Sequence, residues 1–187
     1  MGNSRGLILL ESKMIEILCG TIASGKSTWS KKMAGDDWII INDDNIVTSL
    51  HGGDYTLYQE DLKPLYKSIE DHILHTAVAM GKNVVIDKGL NLTRKSRARW
   101  IALGRSLDVP VRARIFEMTD PEIHARRRCK ESRGRSYDYW LCVAQQHIRS
   151  YETPLFDEGF DDIEYYTWVE QNQKYLPGQQ HFQFVNL

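Results

Sequence analysis

Gly20-Thr21-Ile22-Ala23-Ser24-Gly25-Lys26-Ser27-Thr28 is the stretch whose reading decides the fold. It fits Gly-x4-Gly-Lys-[Ser/Thr], the pattern of a phosphate-binding loop. Two glycines let the backbone curl so that successive N–H groups turn inward, toward phosphate oxygens. Gly20, Ala23, Ser24, Gly25 and Thr28 supply that cradle. The Lys26 ammonium is placed for the β- and γ-phosphates, and the Ser27 hydroxyl for Mg²⁺. A helix leaving the loop aims its N-terminus at the same anion. The flanks agree, since Met14 to Cys19 reads as a short strand and Lys26 to Ala34 as a helix. The alternative is a glycine-rich turn with an incidental lysine.

Outward from the loop, Trp38-Ile39-Ile40-Ile41 is a continuous apolar run, as expected of a strand buried on both faces of a parallel sheet. It ends at Asn42-Asp43-Asp44-Asn45. Ligands of open α/β sheets gather at the carboxyl ends of strands, which places these acids in the same crevice as the loop. From about Leu57 to Met80 the spacing of Leu62, Leu65, Ile69, Ile73 and Ala77 predicts a helix, with Pro64 able to kink or divide it. Asn83 to Ile86 is a further buried strand, closed by Asp87. Thr93 is placed to cap a helix reaching about Leu107. Val111 to Met118 reads as a strand of mixed polarity, and Thr119-Asp120-Pro121-Glu122 as a helix start. Ser136 caps another helix to about Tyr151, and Phe160 to Trp168 is a last strand. This order implies a three-layer α/β/α fold with a mainly parallel sheet of about five strands.

A chain of 187 residues suggests a single domain. Residues 1–12 read as an extension or added edge strand, about 120–137 as an arginine-rich lid, and 170–187 as a tail. No apolar run reaches the length of a membrane span. Cys19, Cys129 and Cys142 show no C-x-x-C pairing, the pattern of a reducing, cytoplasmic protein. His72 and His75 share a helix face but lack a third ligand nearby. Net charge is −1, unevenly placed: residues 88–135 hold 14 Lys/Arg against 5 Asp/Glu. A basic middle suggests an anionic partner, nucleotide or nucleic acid, unless those charges only solvate two helices.

Three features point to phosphoryl transfer onto a hydroxyl. Asp44 or Asp43 can take the acceptor's proton as its oxygen attacks the γ-phosphorus, while Asn42 or Asp43 caps the following helix. Asp87 can orient Mg²⁺, its waters or the acceptor. The arginines can stabilise charge on the transferring group, Arg128 and Arg133 first, Arg126 and Arg127 next.

Gly20–Trp29, Ile41–Asp44, Val84–Asp87, Asn91–Trp100, the arginine-rich segment, Tyr151–Pro154 and Asp157–Ile163 together resemble the polynucleotide 5′-hydroxyl kinases and related small P-loop kinases. The resemblance covers roughly Met14 to Trp168. It implies ATP and Mg²⁺ at Lys26 and Ser27, Asp44 as general base, and Asp87 as the acid after the third strand. It implies lid arginines at Arg128 and Arg133, with Arg126 beside ATP. Asp43, Asp87, Asn91 and Arg94 would face the acceptor, a nucleic-acid 5′ end or a nucleoside-like alcohol. Three departures bear on that acceptor. Asp43 stands where the family usually has Arg, Ile46 and Val47 replace a region where some members carry a second Arg, and Lys88-Gly89-Leu90-Asn91 runs one residue long. A kinase of another hydroxyl and a nucleotide-hydrolysing switch remain the competing readings.

Overall fold

The computed structural model describes residues 13–35, 37–89, 91–130 and 135–166. The expected extension at 1–12, the tail at 170–187 and Arg133 lie outside them. The described strands are β1 Ile15–Cys19, β2 Trp38–Ile41, β3 Asn83–Ile86, β4 Val111–Phe116 and β5 Asp162–Tyr166. They form one sheet in the order β2-β3-β1-β4-β5, with every neighbouring pair parallel. The helices are α1 Lys26–Met33, α2 Asp43–Leu50, α3 Lys63–Ala79, α4 Arg94–Ser106, α5 Pro121–Lys130 and α6 Tyr137–Ser150.

Strand alternation divides the core between the two faces of the sheet. Ile15, Ile17 and Cys19 join Ile41, Ile86, Leu74, Trp100 and Ile101 in the larger cluster. Leu18, Val85 and Phe116 pack with Trp29 of α1 on the other face. The mixed polarity of β4 has a specific cause. Arg114 pairs with Glu16, lies 4.4 Å from the Trp29 ring centroid and reaches Glu164 at 2.6 Å. Arg112 reaches Asp162 at 2.8 Å. The charged positions of β4 therefore answer carboxylates on β1 and β5, and Arg114 roofs an aromatic ring.

The helix expected over Leu57–Met80 begins later, at Lys63. Residues 55–57 and 60–62 form two short 3-10 turns, the first capped by the Asp54 side chain on the Thr56 N–H. Pro64 starts the helix rather than kinking it. Its missing N–H costs nothing in a first turn, where no intrahelical acceptor exists. The caps at Thr93 and Ser136 are in place, Thr93 with a reciprocal bond from Ser96. The last strand begins at Asp162, two residues after the expected Phe160, and runs to Tyr166, where the described residues end.

Arg97 fixes the return of the chain. Its side chain is fully buried, lies 2.6 Å and 2.8 Å from the two Glu158 oxygens, and donates to the carbonyls of Leu92 and Glu152. Arg94 pairs with Asp157 at 2.9 Å, and the Val111 N–H donates to Asp161 at 2.8 Å. A Cβ on Gly159, at φ 107°, would lie 3.0 Å from Ile101. The Asp157–Ile163 stretch thus locks α4 to the sheet.

Candidate phosphate loop and acceptor crevice

The loop leaves the carboxyl end of β1 and enters α1 at Gly25, whose φ of 101° lies in the region that favours glycine. Gly20 has no room for a side chain: a Cβ would stand 2.8 Å from Ser24 Oγ and 3.0 Å from Phe116 Cβ. Ala23 holds φ 50°, a conformation uncommon for a residue with a side chain and a mark of strained loop geometry. No side chain caps α1, so its first-turn amides face the loop's concavity. Ser27 and Thr28 are exposed in that turn, whereas Ser24 and Lys26 are buried.

Lys26 Nζ donates to the carbonyls of Gly20 at 2.8 Å and Thr21 at 2.6 Å. Burial pushes this ammonium down to about 8, only partly opposed by the nearby Asp87 carboxylate. A phosphate in the loop favours the charged form and raises the value again. The complex then binds the proton more tightly than the free protein. Nucleotide affinity is therefore expected to be full below about pH 8 and to weaken above it, by up to about tenfold per pH unit. Calorimetric Kd values for ADP from about pH 6.5 to about 9.5 check this; a flat profile would mean that Lys26 stays charged throughout.

Strand register assembles the rest. β2 and β3 end level, with Ile41 opposite Ile86, and β1 runs two residues further, since Ile17 lies opposite Ile86 and the strand ends at Cys19. The Asp87 N–H donates to the Ile41 carbonyl at 2.9 Å. Asp87 is 3% exposed, and its Oδ2 accepts from Ser30 Oγ of α1 at 2.9 Å and from Asn42 Nδ2 at 3.3 Å. Asn42 is the cap of α2, accepting from the Asn45 N–H at 3.0 Å. One short chain of hydrogen bonds thus joins the helix after the loop, the acid after β3 and the turn that carries Asp43 and Asp44. With Asn42 as cap, both acids fall in the first turn of α2, where the helix field favours carboxylates. Burial nonetheless pushes the Asp43 carboxyl up, against the pull of Lys88 at 3.7 Å.

Other expected site residues make structural contacts in this geometry. Asn91 is buried, and its amide donates to the carbonyls of Leu18 and Ile86, tying β1 to β3. Arg94 pairs with Asp157. Within the basic stretch, Lys88, Arg94, Arg97, Arg99, Arg105, Arg112, Arg114 and Arg126 each pair with a carboxylate, which is eight of the fourteen cations. The basic middle is thus largely an internal matter.

The proposed lid segment contains α5, the start of α6 and the residues between them. Arg126 pairs with Glu122 one turn back, at 2.9 Å. Arg128 lies over the Trp140 ring, 5.1 Å from its centroid, and within electrostatic reach of Lys26. Two histidines escaped the sequence reading because nothing in their spacing marks them. His124 of α5 is fully buried, and its Nε2 accepts from the Thr119 N–H at 3.2 Å. The neutral ring then carries its proton on Nδ1 and faces the Ala23 carbonyl. His147 of α6 is pushed down to about 4, mainly by burial and also by the Lys26 charge. Burial disfavours the charged form of both rings.

Among the described residues no three His, Cys, Asp or Glu side chains gather as a metal site, His72 and His75 included. Mg²⁺ does not require such a cage, since it keeps several waters and binds through one or two protein groups and substrate phosphates. Ser27 and Asp87 fit that mode. Among the described residues no helix is long and apolar enough to cross a membrane.

Residues 15–154 match the family described as AAA domain. No curated protein matches the chain in sequence. A putative kinase from Chloroflexus aurantiacus J-10-fl has a similar structure, with a TM-score of 0.63 at 13% identity over 87% of this chain and 90% of that one. A chain of the Pnkp1/Rnl/Hen1 RNA repair complex gives 0.59 at 17% identity over 75% of this chain and 47% of that one. Chaetomium thermophilum Kti12 in complex with ADP-AlF3 gives 0.54 at 14% identity over 82% and 89%. The chain spans less than half the length of the repair-complex chains it matches. At such identities the likeness shows the fold, which is that of the P-loop kinases. The match over residues 15–154 takes in the phosphate loop, four of the five strands and the acids at their ends, and the chain belongs to the AAA domain family.

Proposed function

We propose that this chain is an ATP- and Mg²⁺-dependent kinase that moves the γ-phosphate of ATP to an alcohol. The observation that carries the reading is the shared crevice at the ends of β1, β2 and β3, where Lys26, Asp87 and the Asp43–Asp44 turn meet. A hydrolytic switch would leave the paired acids of α2 without a task. Asp44 takes the proton of the acceptor hydroxyl as its oxygen bonds to the γ-phosphorus, and the bond from that phosphorus to the β,γ-bridging oxygen breaks, releasing ADP. Lys26 stabilises charge on the β- and γ-phosphates, and Arg128 and Arg133 are assigned to the transferring group from the lid. Ser27 would hold Mg²⁺ and Asp87 would orient its waters, and the metal would supply further neutralisation of the phosphates. Three free thiols, one of them buried, fit a reducing compartment such as the cytoplasm.

Two acceptor classes compete. The sequence resemblance nominates the 5′-hydroxyl end of DNA or RNA. The pairing of most of the basic stretch favours a small hydroxyl compound instead, because a polynucleotide needs unpaired cations along its phosphates. Transfer of label from γ-labelled ATP to 5′-hydroxyl oligonucleotides, against a panel of nucleosides and sugars, separates them. Transfer to an oligonucleotide that falls steeply with salt supports the nucleic-acid reading. ATP hydrolysis at the same rate with and without every acceptor would remove the kinase.

A further inference from the structure

The acceptor end of the crevice has a charge balance that narrows what it accepts. Asp43 and Asp44 open α2, and Glu70 of α3 lies within electrostatic reach of Asp43. The cations that face these acids are already held. Lys88 lies 2.6 Å from Glu70 Oε1 and 3.7 Å from Asp43 Oδ2. Arg99 takes Glu70 Oε2 at 2.7 Å and also pairs with Asp71. Both cations sit over the Trp100 ring, 5.8 Å and 4.4 Å from its centroid. Among the described residues, two cations thus answer three carboxylates, Asp43, Glu70 and Asp71. An anion entering here would have to draw a cation away from Glu70, whose side chain is 1% exposed. Leaving such a buried charge unpaired is strongly unfavourable.

A wall of rings packs on Tyr66, one turn of α3 before Glu70, with the Tyr58 hydroxyl donating to Glu60 at 2.6 Å. Tyr55 and Tyr58 stack with planes 18° apart, and Tyr58 leans on Tyr66 with centroids 5.7 Å apart. The Tyr58 hydroxyl is within electrostatic reach of Asp43. Tyr55 and Tyr58 remain 43% and 36% exposed. Exposed rings next to carboxylates suit a ligand that has a ring of its own and carries no negative charge.

Resting on the kinase reading above, we infer that the acceptor is a ring-bearing alcohol, neutral or cationic, with no phosphate or carboxylate beside the hydroxyl that reacts. Glu70 and Lys88 set that preference, and Tyr58 supplies the stacking face. The test measures kcat/KM for label transfer from ATP to cytidine, glucosamine, cytidine 3′-monophosphate and a 5′-hydroxyl oligonucleotide. Cytidine or glucosamine is expected to exceed the 3′-monophosphate by about tenfold or more, the scale of one uncompensated like charge. Glu70→Gln should narrow that gap by loosening Lys88 and Arg99. Asp43→Asn, at a part-exposed position, makes the same comparison should Glu70→Gln not fold. Tyr58→Ala should lower kcat/KM for the preferred acceptor about tenfold while the KM for ATP holds. Equal or better use of the 3′-monophosphate or the oligonucleotide by the unmodified protein would overturn the inference and leave the kinase standing. Label on none of the four, with ATP hydrolysis that still depends on Lys26, would overturn the kinase reading and this inference with it.

Discussion

Lys26→Ala is expected to abolish phosphoryl transfer while leaving a folded protein. The ammonium is the only side-chain cation within the loop itself, and the glycines around it are there to bring backbone, not charge, to the phosphates. In a dry site a fixed cation aimed at developing charge is worth far more than in water, and single preorganised donors already account for about 10²- to 10³-fold in rate. A full charge on both the β- and γ-phosphates should exceed that. The fold should tolerate the change. Lys26 is buried, with its ammonium depressed to about 8 by desolvation, so folding already spends free energy to hold it. Removing it relieves that cost, against which stands the loss of the donor to the carbonyls of Gly20 and Thr21. The Tm should therefore stay close to the unmodified value as transfer of label disappears. Retention of full activity would refute the assignment of the loop.

The second large effect belongs to the α2 turn. Asp44→Asn keeps the shape of the side chain and removes its basicity. Nucleotide affinity should hold, because the loop and Ser27 are untouched. Turnover should fall by about 10²- to 10⁴-fold, the usual contribution of a general base. Asp43→Asn is the matched control. Its carboxylate already faces Lys88 at 3.7 Å, and burial makes it harder to ionise. The control should disturb the acceptor more than the rate constant of transfer. If Asp43→Asn proves the more damaging of the two for kcat, the base is Asp43 and Asp44 supports it. Single-turnover kinetics with saturating ATP distinguishes these outcomes, since it isolates the chemical step from product release.

Some of the residues that carry the sequence resemblance build the crevice, and others hold the fold around it. Two of the resembling stretches, Asn91–Trp100 and Asp157–Ile163, make structural contacts at their interior positions. Asn91 ties two strands, Arg97 and Glu158 form a buried fork, and Asp161 fastens β4. A buried charge pair tolerates little change, because losing one partner strands the other. Arginine density is likewise not a map of available charge. A count of charges along the chain cannot show which carboxylates fold back onto them, and Arg112 and Arg114 find theirs on strands distant in sequence.

The sequence by itself determined the elements whose causes are local. The loop pattern, the caps at Thr93 and Ser136, and the apolar runs of β2 and β3 depend on neighbours within a few residues, and periodicity or side-chain chemistry reveals them. That the sheet is parallel followed from the alternation of strand and helix, whereas the order of its strands came from the structure. Only the tertiary structure decided which carboxylates hold which cations and where His124 and His147 sit around Ala23 and Lys26. It also decided that Asn42, not Asp43, caps α2. Those outcomes depend on side chains brought together from up to about a hundred positions away, and their energies come from burial and paired charge, which no local pattern encodes.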